Sequence, residues 1–206
     1  MNANVLKRFI IYMAILTFVM FTAWALIRSF MNRPPGDYET EVCDNRLKDK
    51  LYDKAIQAAN TALERTPDHR GALMCKALVF ISQKMYVEAN EELNYLINFL
   101  EKDLKDDDPT GIGTLAAAYA NRGIIKDRQE NYEGALEDYI KAIKIDEEAV
   151  GGPGFGTVIL NYKFKSSSVK ERAIYIYEQL QLPEDERVLK IKELDEGQVM
   201  HKPGKL

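Results

Sequence analysis

Hydrophobic positions follow two patterns along the chain: one unbroken run near the N-terminus, and helical spacing after it. From Phe9 to Ile27 the run contains no charged residue, and only Thr17 and Thr22 interrupt its apolar side chains. As a helix rising about 1.5 Å per residue, this run would be roughly 28 Å long, close to the hydrocarbon thickness of a bilayer. The pattern predicts a single transmembrane helix over residues 9–27.

The flanks of the run fit a membrane anchor. Basic residues, whose long side chains can reach lipid headgroups, stand on both sides of it: Lys7, Arg8, Arg28 and Arg33. Trp24 near one end suits the membrane–water interface. We therefore interpret residues 1–8 as a short tail, Phe9 to Ile27 as the anchor in the bilayer, and residues 28–37 as a linker.

A cleaved signal peptide is the alternative interpretation of the same segment. A basic start, an apolar run and the small residues Ala23 and Ala25 also fit that template, and cleavage near Ala25 would release an exported soluble binding protein. The apolar run continues through Leu26 and Ile27, beyond the possible cleavage point, and this favours a retained anchor.

After Pro34 and Pro35 the chain shows helical periodicity and a self-similarity with a period near 34 residues. The repeat is clearest over residues 116–149, where aromatic and small side chains recur at fixed spacing: Tyr119, Gly123, Tyr132, Ala135, Tyr139 and Ala142. This spacing predicts two antiparallel helices that approach closely at Gly123 and Ala135.

Further copies can be placed in register with the clearest one, over residues 36–69, 70–103 and, in degenerate form, 154–187. The second and third copies start 46 residues apart, an excess of 12 residues that falls on residues 104–115. We expect this excess to lengthen the second helix of the second copy and to form a loop, with Pro109 marking a helix stop.

The repeat is degenerate in the C-terminal region. Residues 157–164 are rich enough in β-branched and aromatic side chains to be extended instead of helical. Residues 183–196 begin with Pro183 and acidic residues, which predicts a capping helix, and residues 197–206 are expected to form a flexible tail.

With these repeats the chain resembles membrane-anchored tetratricopeptide repeat (TPR) proteins. The resemblance implies an all-α fold: one N-terminal transmembrane helix followed by a solenoid of three to four helix pairs over residues 38–187. It also implies a concave surface that holds an extended peptide or a partner helix, and a scaffold instead of an enzyme.

Charge and composition exclude several other functions. The first 33 residues hold four of the 28 basic residues and no acid, so the rest carries 24 basic against 32 acidic residues. Its net charge of −8 argues against nucleic-acid binding.

Two histidines and two cysteines are too few for a zinc site or a conventional catalytic triad. The glycines of residues 151–156 lack the lysine of a phosphate loop, and residues 106–108 fit a solvated acidic loop better than a calcium site. We expect no cofactor, no metal and no small-molecule substrate.

The first helix of the second copy is apolar on two faces. One face belongs to the core, and the other, formed by Met74, Leu78 and Ile81, should line the concave groove. Around it we place the remaining predicted groove residues: Asp44, Lys48, Asn121, Ile124, Asp127 and Arg128. Two interpretations stay open, because either the chain itself covers this apolar face or a partner helix or peptide binds there.

The sequence therefore predicts a non-enzymatic, membrane-tethered scaffold or accessory subunit of a membrane protein complex, with protein partners and the bilayer as its contacts. A short tail before a signal-like segment favours an N-terminus in the cytoplasm and a solenoid on the opposite, non-cytoplasmic side, which in a bacterium is the periplasm. Cys43 and Cys75 allow one internal disulfide but do not decide the side.

Overall fold

The computed structural model describes residues 3–31, 33–150, 168–191 and 200, and the regular structure in these ranges is helical, with no strand. In chain order the elements are α1 (Ala3–Met31), α2 (Asp37–Lys48), α3 (Tyr52–Arg65), α4 (Arg70–Ser82), α5 (Tyr86–Asp103), α6 (Pro109–Arg128), α7 (Tyr132–Ile145), α8 (Glu147–Val150), α9 (Val169–Leu180) and a 3₁₀ turn (Glu184–Glu186).

Helix α1 is longer than the predicted anchor. It includes most of the expected tail 1–8 and the start of the expected linker 28–37, because the polar residues there are compatible with a helix and the first breaker is Pro34. From Val5 to Ile27 its large apolar side chains are all exposed, on every face of the helix. The stretch Asn4–Arg28 is long and apolar enough to cross a membrane, a test that signal sequences also pass.

The segment after α1 is fastened to the solenoid. Gly36 has a φ of 97°, in the left-handed region, and a side chain at this position would clash with the ring of His69. Thr66 Oγ1 donates a hydrogen bond of 3.0 Å to the carbonyl of Pro35. His69 Nε2 lies 3.0 Å from Asp37 Oδ1, so the start of α2 is held against the turn that precedes α4.

Three antiparallel helix pairs follow, α2–α3, α4–α5 and α6–α7, and their internal turns are built alike. Each turn holds one non-glycine residue at positive φ, namely Lys50, Lys84 and Glu130. In the second turn, Lys84 N–H donates to Ile81 C=O and Met85 N–H to Phe80 C=O, and the other two turns repeat this pattern. The turn residues are 34 and then 46 residues apart, the same spacing as the starts of the three predicted copies.

The excess is divided differently from the prediction. Helix α5 has 18 residues against 14 in α3 and α7, as expected, but α6 is also extended, to 20 residues against 13 in α4. Pro109 is therefore not a helix stop. It occupies the first turn of α6, where its missing N–H costs nothing, and Asp108 caps that helix by accepting a 2.8 Å hydrogen bond from Gly111 N–H.

The predicted close approach inside the third pair is confirmed. A Cβ atom at Gly123 would lie 2.6 Å from the ring of Tyr139, so only glycine allows α6 and α7 to pack at this distance. Ala135 and Tyr139 are fully buried beside it. Helix α6 is buried on nearly every face, which makes it the central helix of the core.

The C-terminal region departs from the prediction. Residues 151–167, which hold the glycine-rich stretch and most of the first half of the degenerate fourth copy, lie outside the described residues. Helix α9 packs against α7. The predicted capping helix 183–196 is wrong where it is described, because a single 3₁₀ turn is followed by non-helical residues 187–191.

The segment after Pro183 is not helical because its hydrogen bonds go to the end of α9 and to the turn after it. Val188 N–H donates to Gln179 Oε1 at 2.7 Å instead of to a carbonyl one turn back, and the Arg187 side chain donates to the carbonyls of Leu180 and Leu182. In the expected tail, Met200 is half-buried against the main core, and its neighbours lie outside the described residues.

Candidate functional site

The apolar part of the predicted groove is buried. Met74, Leu78 and Ile81 are at most 4% exposed and belong to the main hydrophobic core, together with residues of α6, α7 and α9. An open apolar groove at these three residues, as the sequence suggested, is therefore incorrect for this structure. Of the two interpretations, the structure supports the one in which the chain covers this face with its own residues.

Two of the predicted α6 groove residues are buried as well. Ile124 is fully buried, and Asn121 Nδ2 lies 3.4 Å from the sulfur of Met74. Asn121 therefore contacts the neighbouring helix α4 and is not available to a ligand on the concave side. A buried amide needs such polar contacts, since burying it without a hydrogen-bonding partner would be costly.

Asp127, predicted at the groove, forms a buried ion pair with Arg172 of α9. Arg172 Nε and Nη2 donate to the two carboxylate oxygens at 2.8 and 2.7 Å, and both side chains are at most 3% exposed. The hydroxyl of Tyr139 donates to the same carboxylate at 3.1 Å. The two parallel hydrogen bonds hold the guanidinium in one orientation, in addition to pairing its charge with the carboxylate.

Sequence reasoning missed Arg172, although the sequence holds a signal for it. Val169, Arg172, Ala173 and Ile176 follow one another at spacings of three, one and three residues, which places the arginine inside the apolar stripe of a helix. An arginine in such a stripe indicates a buried acidic partner. Its identity could not be read, because Asp127 lies 45 residues away.

A second ion-pair cluster joins α5, α6 and α7. Arg122 donates to both carboxylate oxygens of buried Asp138 at 2.8 Å, and Lys126 Nζ lies 2.8 Å from the same carboxylate. The hydrogen bonds to Asp138 raise the pKa of Arg122. Burial, and then a hydrogen bond donated to Glu101, raise the pKa of Tyr119 to about 12, so this hydroxyl remains protonated.

The other predicted groove residues remain accessible. Lys48 is exposed at the end of α2, and Asp44 and Arg128 are half-buried. The structure therefore leaves charged side chains at the accessible positions of the predicted surface and buries its apolar centre.

His69 has a structural position. Its Nδ1 accepts a 3.2 Å hydrogen bond from Ala72 N–H and thereby caps α4. Because Nδ1 is the acceptor, the ring proton lies on Nε2 and points to Asp37. In the ranges that the structure describes, no three His, Cys, Asp or Glu side chains gather in a way that could hold a metal ion.

Cys43 of α2 and Cys75 of α4 form a disulfide with a Cα–Cα distance of 6.4 Å. Both residues are fully buried, in a small cluster with Ala55, Ala59 and Val79. The bond links the first helices of the first two pairs across a separation of 32 residues.

Comparison with known proteins agrees with the repeat. Residues 116–148 match the model of the tetratricopeptide repeat. Over 102 residues, the chain is 33% identical to DnaJ homolog subfamily C member 7 of Mus musculus and 32% identical to that of Homo sapiens, covering 46% of this chain. The chain spans about a fifth of the length of these curated relatives. Helices α6 and α7 therefore form a tetratricopeptide repeat, a unit that generally mediates protein–protein interaction.

Proposed function

We propose that this protein is a non-enzymatic, membrane-tethered interaction scaffold or accessory subunit of a membrane protein complex. One observation carries the proposal: the apolar side chains of α1 are exposed on all sides, while the helix pairs bury a core without them. An apolar helix of this length in water would expose far more hydrophobic surface than a soluble protein tolerates. A bilayer supplies the missing environment.

The polar groups of α1 also suit a span. Thr17 Oγ1 and Thr22 Oγ1 donate to the carbonyls of Met13 and Val19, so neither hydroxyl needs water. The guanidinium of Arg28 lies 5.1 Å from the ring centre of Trp24, a pair that fits the interface.

Tethering gives such a solenoid its mechanism. A partner held in the same membrane meets the binding surface at a raised effective concentration, so weak contacts suffice. In the subunit version, α1 packs against other spans through its small residues, namely Ala14, Thr17, Ala23 and Ala25.

The disulfide favours a solenoid on the non-cytoplasmic side of the membrane. Disulfides persist in oxidising compartments and are rare where cellular reductants reach them. A bond between Cys43 and Cys75 therefore fits a translocated domain and an N-terminus in the cytoplasm.

The anchor is tested by carbonate extraction of membranes together with the mass of the mature N-terminus. We expect the chain to stay with the membrane and to retain its N-terminal residues. Leu16→Arg, in the middle of the span, should weaken insertion by about 3 kcal/mol, whereas Asn4→Arg, outside the apolar run, should not. A mature chain that begins after Ala25 would instead support the exported soluble alternative.

Sidedness is tested by labelling thiols with maleimide–polyethylene glycol after denaturation. We expect no gel shift for the natural chain until it is reduced, and two added labels afterwards. Cys43→Ser, which leaves the thiol of Cys75 free, is the matched control and should label without reduction. Two labels on the unreduced natural chain would place the domain on the reducing side.

The subunit version is tested by purification in mild detergent and identification of stoichiometric companions. Replacing residues 9–27 by a leucine helix of equal length keeps the tether and removes the small residues, so loss of the companion would assign the contact to the span. Loss on mutation of exposed Lys48 would assign it to the solenoid. A chain that purifies alone from its native membrane contradicts this version.

A further inference from the structure

Residues 187–191, which we call the strap, follow α9 and lie along that helix as an extended segment. Side chains of α9 hold its backbone: Tyr175 OH donates to Val188 C=O at 2.5 Å, and Arg172 Nη2 donates to Leu189 C=O at 3.0 Å. Val188 N–H donates to Gln179 Oε1 at 2.7 Å. Three backbone groups of two successive residues are thus paired with side chains.

Side chains of the strap alternate between the protein and the solvent. Val188 is 58% exposed, whereas the next residue, Leu189, is half-buried against the main core. Lys190 points outward and its Nζ lies 2.5 Å from the carboxylate of Glu130 in the turn between α6 and α7. Alternation of this kind, with backbone hydrogen bonds, is how extended peptides bind to proteins.

Arg172, one of the groups that bind the strap, is held in place independently of it. Arg172 is oriented by its two hydrogen bonds to Asp127, so Nη2 faces the strap whatever occupies that place. The guanidinium of Arg172 also lies 5.7 Å from the ring centre of Tyr175. Glu130 is held in a turn whose backbone hydrogen bonds recur in all three helix pairs. A preorganised site of this kind loses little entropy when a ligand binds.

We propose that α9 and the α6–α7 turn form a binding site for an extended peptide segment of a partner protein, and that the strap fills this site until the partner segment displaces it. The partner segment carries an aliphatic residue, which takes the place of Leu189, followed by a basic residue that faces Glu130. This inference rests on the proposed interaction function and names the class of its partner.

The contacts of the strap allow exchange. The ion pair between Lys190 and Glu130 is exposed, with 72% and 57% of the two side chains accessible, so it contributes little to holding the strap. Because the backbone contacts do not depend on sequence, another chain can replace all three. The short connection to α9 keeps the strap at a high effective concentration, which lets it compete with a partner segment.

The test uses the full chain in detergent micelles and a fluorescent peptide with the sequence of residues 183–191. Leu189→Asp weakens the strap without changing α9, and we expect it to bind the peptide at least about tenfold more tightly than the natural chain, in which the strap competes. A peptide carrying aspartate in place of its leucine is the control and should bind neither protein. In the Leu189→Asp protein, Glu130→Lys should weaken this binding, while Glu133→Lys, at an exposed position at the start of α7, should not.

Equal binding of the peptide to both proteins, or binding to neither while Leu189→Asp keeps its helical circular dichroism, overturns the proposal. If Leu189→Asp does not fold, Lys190→Glu serves instead, because it places a second carboxylate beside Glu130. Repulsion between the two like charges should weaken the strap and increase peptide binding. Hydrogen exchange gives an independent readout: the Val188 amide of the natural chain should be protected, and exchange at the rate of an unstructured peptide would overturn the proposal. The titration needs neither the bilayer nor a natural companion, so its failure leaves the anchor untouched.

Discussion

Arg172 of α9 and Asp127 of α6 form a buried ion pair between the last described α-helix and the repeat core. Two hydrogen bonds of 2.8 and 2.7 Å connect them, both side chains are buried, and 45 residues of sequence separate them. Because the carboxylate also accepts from Tyr139, it contacts side chains of both α7 and α9.

Arg172→Ala should strongly destabilise the protein, because it leaves the Asp127 carboxylate buried without its cation. Breaking a buried pair in this way costs about 3–5 kcal/mol. Lys170→Ala on the same helix is the matched control, since its ion pair with Glu147 is exposed, and it should cost less than about 1 kcal/mol. Urea denaturation followed by circular dichroism measures both, and equal losses for the two variants would contradict the assignment.

Leu78→Asp should abolish folding of the helix pairs and not merely partner binding. Leu78 is 4% exposed within the main core, and an isolated buried carboxylate costs several kcal/mol. Lys48→Asp, at an exposed position of the predicted surface, should leave the circular dichroism unchanged. A folded Leu78→Asp protein that lost only a partner would restore the open-groove interpretation.

Lys84→Gly should stabilise the protein. Lys84 has a φ of 61°, where a side chain strains the backbone and glycine does not. Relief of that strain exceeds the entropy that glycine loses on folding, and we expect a net gain of about 0.5–1 kcal/mol. Lys84→Ala removes the charge but keeps the Cβ atom, so it should bring no gain. Thermal unfolding of the two variants separates these effects.

Asp108 should make a pH-dependent contribution to the free energy of unfolding, and Asp108→Asn should remove it. The backbone N–H of Gly111, and then the guanidinium of Arg70, lower the pKa of the Asp108 carboxyl. A lowered pKa in the folded state means that the stabilisation is complete above the ordinary aspartate value, about 4, and is lost as the pH falls through the folded value.

The measurement for Asp108 compares melting temperatures across pH. Asparagine also caps helices well, so Asp108→Asn removes mainly the charge of the carboxylate. The variant should therefore be less stable than the natural chain at pH 7, and the difference should shrink below about pH 4, where the carboxylate of the natural chain becomes protonated. Asp106→Asn, for which no ion pair or cap is observed in the described part of the chain, should show no such trend. A difference that is constant from pH 7 to pH 3 would mean that the charge on Asp108 is not involved.

Local pattern was enough to predict the helix pairs. Gly123 and Tyr139 act within one repeat, so their contact follows from spacing alone, and the 12-residue excess appears in the positions of Lys84 and Glu130. The predicted helix stop at Pro109 is wrong because a proline serves equally well at the start of a helix. Only the hydrogen bond that Gly111 N–H donates to Asp108 distinguishes the two cases.

The repeat register, the apolar helix and the acidic solenoid were determined by the sequence itself, because periodicity and uninterrupted hydrophobicity act over a few turns of helix. The tertiary structure alone decided that Met74 and Leu78 are buried, that Arg172 meets Asp127, and that Cys43 meets Cys75. The residues of the ion pair are 45 positions apart, and those of the disulfide are 32 positions apart. A helical pattern tells which face of a helix is apolar, but what covers that face depends on where the rest of the chain folds back.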